Sequence, residues 1–377
     1  MNLAAHHEQI REAVRRYARE RLAPNAARWD REKIFPRDEV AGLGAMGLYG
    51  VAIPEAQGGA GLDNTALALA CEEISAGDGA TCTIVMVTNL VASILNGYAN
   101  AAQKKAFLAP LAQGKLLGAF CLTEPHAGSD ASAITTRAER AGAHYVLNGV
   151  KQFITSGKNA DVAIVFAVTD KAAGKKGISA FVVPTATPGY VVARIEDKTG
   201  QRASDTAQIV FENCKVPAEN LLSQEGAGYR IALANLESGR INVAAQSTGM
   251  ARAALDAALA YAAQRTSMGK PLIGHQAVKF RLADMATGVE ASRQLYLHAA
   301  RLRDAGAPCL KEASMAKLFA SETAERVCSD AIQIHGGYGY VADFPVERIW
   351  RDVRVCQIYE GASDIQRLVI GRALAGA

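Results

Sequence analysis

The chain has 377 residues, of which 50% are hydrophobic and 21% charged, and its formal net charge is +4. This length predicts two or three globular domains, because one domain commonly holds roughly 100–200 residues. The small charge and the scattered basic residues exclude the concentrated cationic face that nucleic-acid binding uses. Seven cysteines without a C-x-x-C pair exclude a disulfide framework and a zinc ribbon.

The N-terminal third predicts a cytoplasmic protein without a membrane segment. Residues 1–17 have the periodicity of an amphipathic helix and lack the apolar core of a signal peptide. The longest apolar run, from Cys82 to Leu95, is interrupted by threonine, asparagine and serine. It is shorter than the roughly 18 apolar residues that a membrane-spanning helix requires.

Three zones with different residue patterns follow one another along the chain. Residues 1–118 show helical periodicity, with Asp63 in position to cap one helix. Residues 119–222 contain short β-branched runs and a turn predicted at Asn148-Gly149, which favour an antiparallel β-barrel or sandwich. Residues 223–377 return to long helical patterns with short breaks, as a four-helix bundle requires. The sequence therefore predicts an α+β fold, mainly helical, with three domains at these boundaries.

The stretch GLGAMG, from Gly42 to Gly47, matches the G-x-G-x-x-G pattern of dinucleotide-binding turns. That motif requires a strand directly before the glycines and a helix directly after them, so that the pyrophosphate meets the helix N-terminus. Here the helix start FPRDEVA precedes the glycines, and the proline- and glycine-rich LYGVAIPEAQGG follows them. The sequence therefore predicts the end of a helix and a connecting loop at this point.

Three polar stretches carry stronger signals for function. FCLTEPHAGSDASA (Phe120–Ala133) lies where helices give way to strands, and it suits either a ligand-binding loop or an ordinary capped turn. QIHGGYGYVADFPVERIWRD (Gln333–Asp352) has paired glycines, which either allow close backbone approach to a ligand or simply join two helices. QIYEGASDIQR (Gln357–Arg367) places Glu360 in an apolar helical pattern, either as a surface residue or as a base with a raised pKa.

In this order and spacing, the three stretches resemble the signatures of the acyl-CoA dehydrogenase family. The first is similar to L-T-E-x-x-A-G-S-D, the second to Q-x-x-G-G-x-G-Y, and the third to Y-E-G-[T/A]-S-x-I-Q-R. The resemblance covers essentially the whole chain. It implies a helical N-terminal domain, a central antiparallel β-barrel and a C-terminal four-helix bundle, in agreement with the three zones.

The resemblance implies that Glu360 is the catalytic base. Some family members carry the base on the first helix of the bundle, immediately before an arginine, but here that position is Gly239, before Arg240. Glycine cannot accept a proton, so Glu360 remains the candidate, and Arg240 is expected to shape the site beneath the thioester. Further substrate contacts are expected from Ser129, Glu237, Tyr359 and Gly361, with Glu237 near the CoA arm.

The resemblance also implies FAD as cofactor, held by two groups of residues. The first group, expected around the isoalloxazine ring and ribityl chain, comprises Phe120, Leu122, Thr123, Ser129, Phe153 and Thr155. The second group is expected to contact the FAD of a neighbouring subunit and comprises Arg265, Gln276, Gln333, Gly336 and Gly337. Ala362 and Asp364 are also expected to lie near the cofactor.

The implied reaction is the α,β-dehydrogenation of an acyl-CoA thioester to trans-2-enoyl-CoA. Glu360 is expected to remove the α-proton while flavin N5 accepts the β-hydride. In the family, the backbone N–H of the base and the ribityl 2′-hydroxyl stabilise the developing enolate. The resemblance further implies electron-transfer flavoprotein as the electron acceptor and a homotetramer, assembled as a dimer of dimers with FAD at the dimer interface.

The chain departs from the family pattern at a few positions. Met268 stands where R-x-x-F-G-K has an aromatic residue, Ala362 replaces the commoner threonine, and Asp364 is shorter than the usual Glu or Gln. These changes predict weaker side-chain contacts to the flavin. His126 is expected to be an ordinary loop histidine, and the histidines lack metal-ligand spacing, so no metal site is predicted.

Two alternatives remain open on the sequence. An acyl-CoA oxidase would share the fold and pass electrons to oxygen, whereas a non-catalytic scaffold would keep the fold and bind CoA or flavin. The compact length argues against the first, and the intact Glu360 and Arg240 argue against the second. The acyl tail is expected to run past residues 87–95. A short, medium or branched acyl chain is favoured, which suggests a role in fatty acid or branched-chain amino acid catabolism.

Overall fold

The computed structural model describes residues 3–376, and the chain begins with a layer of helices. Asp63 caps one of them as the sequence predicts, since its carboxylate accepts a hydrogen bond of 2.8 Å from the Ala66 backbone N–H. The helices of this layer are α1 (Ala5–Tyr17), α2 (Ala23–Glu32), α3 (Arg37–Ala45), α4 (Asn64–Gly77), α5 (Gly79–Tyr98), α6 (Ala101–Gln103) and α7 (Ala109–Ala112).

Two prolines explain the π-helical turns of this layer, Ala18–Leu22 before α2 and Lys104–Leu108 before α7. Pro24 and Pro110 each lie two residues after such a turn. Proline has no backbone N–H, and in a regular α-helix its ring collides with the carbonyl four residues earlier. The wider π turn relieves that collision, so the helix continues past the proline.

The GLGAMG stretch forms the end of α3 and the turn after it, which confirms the predicted helix terminus. Gly42 and Gly44 lie inside the helix, where an added Cβ would collide with Tyr17 or Tyr49. Gly47, at φ +81°, lies in the turn that leaves the helix. The pattern G-x-G-x-x-G therefore reflects close helix packing at this point.

α5 is a core helix that packs against α8, α4 and β1. By length and composition it could cross a membrane, since it has 20 residues and a mean hydropathy of 1.5, so the prediction that no segment reaches this length is wrong. However, 83% of its apolar window is buried inside the protein. Its polar residues are also satisfied internally, as when the Asn89 amide donates to the Leu48 and Val85 carbonyls.

A seven-stranded sheet forms the middle of the molecule. Its strands are β1 (Gly118–Cys121), β2 (Arg137–Ala141), β3 (His144–Thr155), β4 (Val162–Val168), β5 (Ile178–Pro184), β6 (Tyr190–Ile195) and β7 (Thr206–Pro217). β4 pairs with β5 and, in parallel, with β1 and one residue of β2. From β2 the order continues through β3 and β7 to β6, with antiparallel pairing throughout.

The sheet of the predicted antiparallel barrel is an open, curled half-barrel. In the described part of the chain β5 and β6 do not pair with each other, and β1 runs parallel to β4. α8 packs against β5, so a helix covers that side of the sheet. β6 remains largely exposed, with Val191, Val192 and Ile195 partly open to solvent. Helix packing thus replaces the strand pairing that would close a barrel.

The turn predicted at Asn148-Gly149 is also wrong, because β3 passes through both residues without a break. The register of β3 against β7 shifts between Leu147 and Gly149, which marks a β-bulge. The Asn148 side chain accepts a hydrogen bond of 2.8 Å from the Asn213 backbone N–H across the bulge. The hairpin turn lies earlier, at Gly142 with φ +63°.

The C-terminal part contains the predicted helical bundle. Its long helices are α8 (Gly228–Gln264), α9 (Gln276–Asp304) and α10 (Leu310–His335), and a two-stranded ribbon of β8 (Thr266–Ser267) and β9 (Lys270–Pro271) joins the first two. The fourth helix of the predicted bundle is divided into α11 (Val346–Val353) and α12 (Ser363–Ala375). The segment between α11 and α12 carries Glu360.

Candidate active site

Glu360 lies in a tight turn before α12, with its backbone in the left-handed region at φ +53°. A non-glycine residue keeps this conformation only when surrounding contacts hold it. Gly361 continues the turn at φ +88°, and a Cβ there would lie 2.6 Å from Gln366 Nε2. The turn therefore requires glycine at position 361 and fixes the direction in which the Glu360 side chain leaves the backbone.

The Glu360 carboxylate is incompletely hydrogen-bonded. Its Oε2 atom is buried and has no hydrogen-bond partner among residues 3–376. Burial raises the pKa of Glu360, and the positive charges of Arg240 and Lys317 only partly offset that effect. A carboxylate with a raised pKa and a free buried oxygen is suited to take a proton from a bound ligand.

Gly239 on α8 makes room for this carboxylate. A Cβ at position 239 would lie 2.5 Å from Glu360 Oε2, closer than real Cβ contacts allow, and 3.1 Å from Glu360 Cδ. The position where some family members are expected to carry the base is thus occupied here by the side chain of Glu360 itself. The absence of a side chain at position 239 therefore leaves the space that the Glu360 carboxylate occupies.

Arg240, the next residue of α8, is a buried guanidinium whose Nε has no hydrogen-bond partner in the described chain. Burial lowers the pKa of Arg240, and the charges of Glu360 and Glu237 partly offset this. Glu237 itself accepts hydrogen bonds from Arg303 Nη1 at 2.9 Å and from Cys309 Sγ at 3.1 Å. The structure therefore brings Arg240 and Glu360 together and leaves each with an unsatisfied buried atom.

Tyr359, predicted to contact substrate, uses its hydroxyl in a buried hydrogen-bond network. The hydroxyl donates to Gln246 Oε1, and Gln246 Nε2 donates to Thr83 Oγ1 at 2.7 Å. Thr83 Oγ1 donates to Gln201 Oε1 at 2.6 Å, and the Gln201 backbone N–H donates to Asp352. The network connects α5, α8 and α11 to the turn before α12. Sequence reasoning missed it, because its members lie far apart in the chain.

The first group of predicted cofactor residues lies at the end of β1, in the loop that follows it and along β3. The Gln152 backbone N–H donates to the Thr123 carbonyl at 2.9 Å, which places the two segments side by side. Phe153 is 63% exposed and adopts φ +59°, so its ring is free to contact a ligand. Within the same group, Leu122 is buried, Phe120, Thr123 and Thr155 are half-buried, and Ser129 is exposed.

A buried ion pair supports this loop from beneath. Lys151 Nζ lies 2.7 Å from Glu124 Oε1 and also donates to the Leu122 carbonyl at 2.9 Å. Glu124 further accepts from the backbone N–H groups of Thr135 at 2.7 Å and Thr136 at 2.9 Å. Burial opposes ionisation of Glu124, but Lys151 and these hydrogen bonds outweigh it and lower its pKa to about 2. The sequence signal for this pair was a lysine at an inward position of β3.

The second group of predicted cofactor residues lies at turns at the ends of the bundle helices. The Arg265 guanidinium is 5.8 Å from the centroid of the Tyr338 ring, a cation–π contact that joins the turn after α8 to the turn after α10. Gly336 has φ +61°, and a Cβ at Gly336 or Gly337 would meet nothing within 4 Å. The backbone there is open to a ligand or a second chain. The remaining members, Gln276 and Gln333, are exposed.

No hydrogen bond or ion pair between residues 3 and 376 joins the two groups. Ala362 precedes α12, and Asp364 in its first turn is exposed and pairs with Arg367 at 3.4 Å. Met268, in place of the expected aromatic residue, is 92% exposed. The first group offers an exposed ring and hydroxyls and the second offers a guanidinium and open glycine backbone, donor types that fit a flavin ring and a pyrophosphate.

The structure brings three potential metal ligands together at a place that the sequence did not predict. His6 Nε2 and His7 Nε2 lie 3.5 Å and 2.9 Å from Asp63 Oδ2. Because Asp63 caps α4, these contacts fasten α1 to the start of α4. His126 is exposed and its ring hydrogen-bonds with the Ala133 carbonyl at 3.2 Å, as an ordinary loop histidine does.

Comparison with known proteins gives matches along the chain to three domain descriptions of one family. The acyl-CoA dehydrogenase N-terminal domain matches residues 4–115, the middle domain residues 119–214, and the C-terminal domain residues 226–375. An acyl-CoA dehydrogenase of Bacillus subtilis is 46% identical over 377 residues, covering 100% of both chains.

Two further relatives carry more specific descriptions. The short-chain specific acyl-CoA dehydrogenase of Rattus norvegicus mitochondria is 46% identical and covers 97% of this chain and 89% of its own. The solved structure of butyryl-CoA dehydrogenase from Megasphaera elsdenii has a TM-score of 0.97 at 41% identity and covers 100% of this chain and 99% of its own. The chain belongs to the acyl-CoA dehydrogenase family of flavoprotein oxidoreductases.

Proposed function

We propose that this chain is an FAD-dependent dehydrogenase that converts a short-chain acyl-CoA thioester to the trans-2-enoyl-CoA, with Glu360 as the base. The observation that carries the proposal is the buried, unpartnered Oε2 of Glu360 against Gly239. No group in residues 3–376 forms a hydrogen bond with Glu360 Oε2, so a bound substrate is the expected partner of this buried oxygen. Arg240 lies on the adjacent residue of α8 and would shape the site beneath the thioester.

The chain's own residues supply the proton chemistry. An α-proton of a thioester is too weakly acidic for an ordinary carboxylate, and the raised pKa of Glu360 makes it a stronger base. The Glu360 backbone N–H would donate to the thioester oxygen and stabilise its developing charge. Burial of the carboxylate limits competition from water. Tyr359 and Gly361, on either side of Glu360, would position the substrate.

The cofactor would be held by the residues named above from the ends of the half-barrel and the bundle. Phe120, Leu122, Thr123, Ser129, Phe153 and Thr155 would contact the flavin ring and ribityl chain, and Ala362 and Asp364 would lie near by. Arg265, Gln276, Gln333, Gly336 and Gly337 would contact the FAD of a neighbouring subunit. When bound, FAD supplies the acceptor for the β-hydride. The exposed ring of Phe153 and the open backbone at Gly337 support this assignment.

The short-chain assignment rests on the relatives described as short-chain specific and as butyryl-CoA dehydrogenase. The acyl tail would run past residues 87–95 of α5. Ser129 and Glu237 would lie along the CoA arm. Glu237 is already paired with Arg303, so that contact would involve the pair and not an isolated carboxylate.

The oligomer would be a homotetramer of three-domain subunits, divided near residues 118 and 222, in the cytoplasm. Large apolar side chains exposed on this single chain support burial by further copies, among them Met268, Phe280, Tyr340 and Leu374. Analytical ultracentrifugation of the purified protein should give a mass near four times the chain mass of 39.7 kDa. A monomer would contradict the assembly without touching the proposed reaction.

The reaction is tested by mixing the purified yellow protein, without oxygen, with butyryl-, octanoyl-, palmitoyl- and isovaleryl-CoA. Butyryl-CoA is expected to bleach the flavin fastest, and added electron-transfer flavoprotein should then restore the colour. In a separate assay in air-saturated buffer, rapid consumption of oxygen with acyl-CoA would identify an oxidase instead. A colourless protein, or one that no acyl-CoA bleaches, would support a non-catalytic scaffold and contradict the proposal.

A further inference from the structure

Lys317 on α10 is a fully buried lysine, 0% exposed, in a core made largely of small side chains. It lies on the helix face that also carries the buried Ala313, Ala320 and Ala324. No ion pair within residues 3–376 includes Lys317, so no carboxylate compensates its charge at close range. Buried lysines are rare unless paired, because removing the ammonium from water is costly. Burial of the Lys317 ammonium does not stabilise the fold, so its presence in the core requires another explanation.

The Lys317 ammonium makes its hydrogen bond to the turn that carries Glu360. Its Nζ donates to the Gly361 carbonyl at 2.7 Å. Gln366 Nε2 donates to the same carbonyl at 2.8 Å and to the Glu360 carbonyl at 3.3 Å. Two donors from different helices, α10 and α12, therefore hold the left-handed Glu360–Gly361 backbone. That conformation persists only because contacts of this kind fix it.

Few charged side chains surround the Lys317 ammonium and the Glu360 carboxylate. Lys317 faces the negative or ionisable side chains of Glu360, Cys356 and Glu322, and the positive charge of Arg240 opposes it. Glu360 faces Arg240 from α8 and Lys317 from α10. Burial dominates for Lys317 and lowers its pKa to about 8, so the side chain is mainly protonated at neutral pH.

We propose that Lys317 is a positioning residue for the catalytic turn, which fixes the Glu360–Gly361 backbone through its hydrogen bond and keeps the Glu360 carboxylate ionised through its charge. The inference rests on the proposed role of Glu360 as base. Substitutions of Lys317 can separate the effect of the hydrogen bond from the effect of the charge. A glutamine keeps a hydrogen-bond donor without the charge, and a methionine keeps the apolar stem without either.

The experiment compares wild type, Lys317→Gln and Lys317→Met by the rate of flavin bleaching with butyryl-CoA between pH 6 and 9. Lys317→Met should slow bleaching by roughly a hundredfold, the effect of a misplaced catalytic group. In both variants the acid limb of the profile should move to higher pH by roughly one unit, because the Glu360 pKa rises when the nearby cation is removed. Above pH about 8, where the wild-type lysine itself loses its proton, Lys317→Gln should approach the wild-type rate.

Controls separate this outcome from simpler ones. Lys311→Met, on the same helix but at a partly exposed position, should leave rate and pH profile unchanged. Flavin absorbance and thermal unfolding report whether each variant keeps its cofactor and fold; if Lys317→Met loses either, the Lys317→Gln profile decides. An acid limb and rate unchanged in both variants would overturn the proposal. Absence of bleaching in wild type would instead count against the proposed function.

Discussion

Two parts of the site, the turn that carries Glu360 and the surface around Phe153, differ in how far one chain completes them. Around Glu360 the backbone is held by Lys317 and Gln366, and the carboxylate is packed against Gly239. At the surface Phe153 is 63% exposed, and the glycines after α10 face open space. The folded chain alone thus fixes the Glu360 turn, whereas the surface around Phe153 and the glycines after α10 stays open, as expected if the proposed FAD and a second subunit bind there.

The largest expected effect is that of Glu360→Gln. The rate of butyryl-CoA bleaching should fall by roughly 10²–10⁴-fold, which is the contribution of a positioned general base. FAD content should be unchanged, since Glu360 belongs to the self-contained part of the site. Stopped-flow absorbance measures the rate, and the visible spectrum measures the bound flavin. A variant that stays fully active would remove Glu360 from the mechanism.

The buried Glu124–Lys151 pair should show the next largest effect, this time on the stability of the fold. Glu124→Gln leaves the Lys151 charge without its partner, which should lower the free energy of unfolding by roughly 3–5 kcal/mol. Urea unfolding of the apoprotein measures this. The double variant Glu124→Gln/Lys151→Met removes the unpaired charge and should recover part of the loss; no recovery would mean that the pair is not the cause.

The Glu124–Lys151 pair also predicts how the free energy of unfolding depends on pH. The pKa of Glu124 is lowered from 4.5 to about 2 in the folded protein, so the carboxylate contributes stability above pH 4.5 that is lost as pH falls towards 2. Consequently, the difference in unfolding free energy between wild type and the double variant should shrink between pH 5 and pH 3. An unchanged difference would place the acid sensitivity in other carboxylates.

Gly239→Ala should have an intermediate effect on the bleaching rate, because it disturbs the Glu360 turn and leaves the surface around Phe153 unchanged. The added Cβ would lie 2.5 Å from Glu360 Oε2, so the carboxylate must move. We expect bleaching to slow by roughly a hundredfold, as for displaced reacting groups, with FAD retained. Gly97→Ala, at a helical glycine where a Cβ meets nothing within 4 Å, is the matched control and should be neutral.

Phe153→Ala should have the smallest effect and test the open surface. Because the ring is mostly exposed, the stability of the apoprotein should change by less than about 0.5 kcal/mol. FAD affinity, measured by fluorescence titration, should fall by roughly two- to tenfold, since one stacked aromatic contact is worth about 0.5–1.5 kcal/mol. A large loss of apoprotein stability would show that Phe153 belongs to the core instead.

Much of the fold could be predicted from residue patterns. The cap at Asp63, the helix end at GLGAMG and the breaks between the bundle helices follow from local chemistry that a few neighbouring residues determine. The half-open form of the barrel was not predicted, and the Asn148-Gly149 turn was wrong, for a different reason. Whether a sheet closes depends on what covers its edge strands, and an Asn-Gly pair forms a bulge when the partner strand runs on beside it.

The site divides in the same way. The motif around Glu360 and the glycine at 239 were enough to predict the reactive side chain through the family resemblance, because residue types in order carry that signal. Three contacts came to light with the packed helices: Gly239 gives space to Glu360, the Tyr359 hydroxyl donates to Gln246, and the Lys317 ammonium donates to the Gly361 carbonyl. These contacts join residues from helices far apart in the chain, and burial and distance between such residues exist only after the helices have packed.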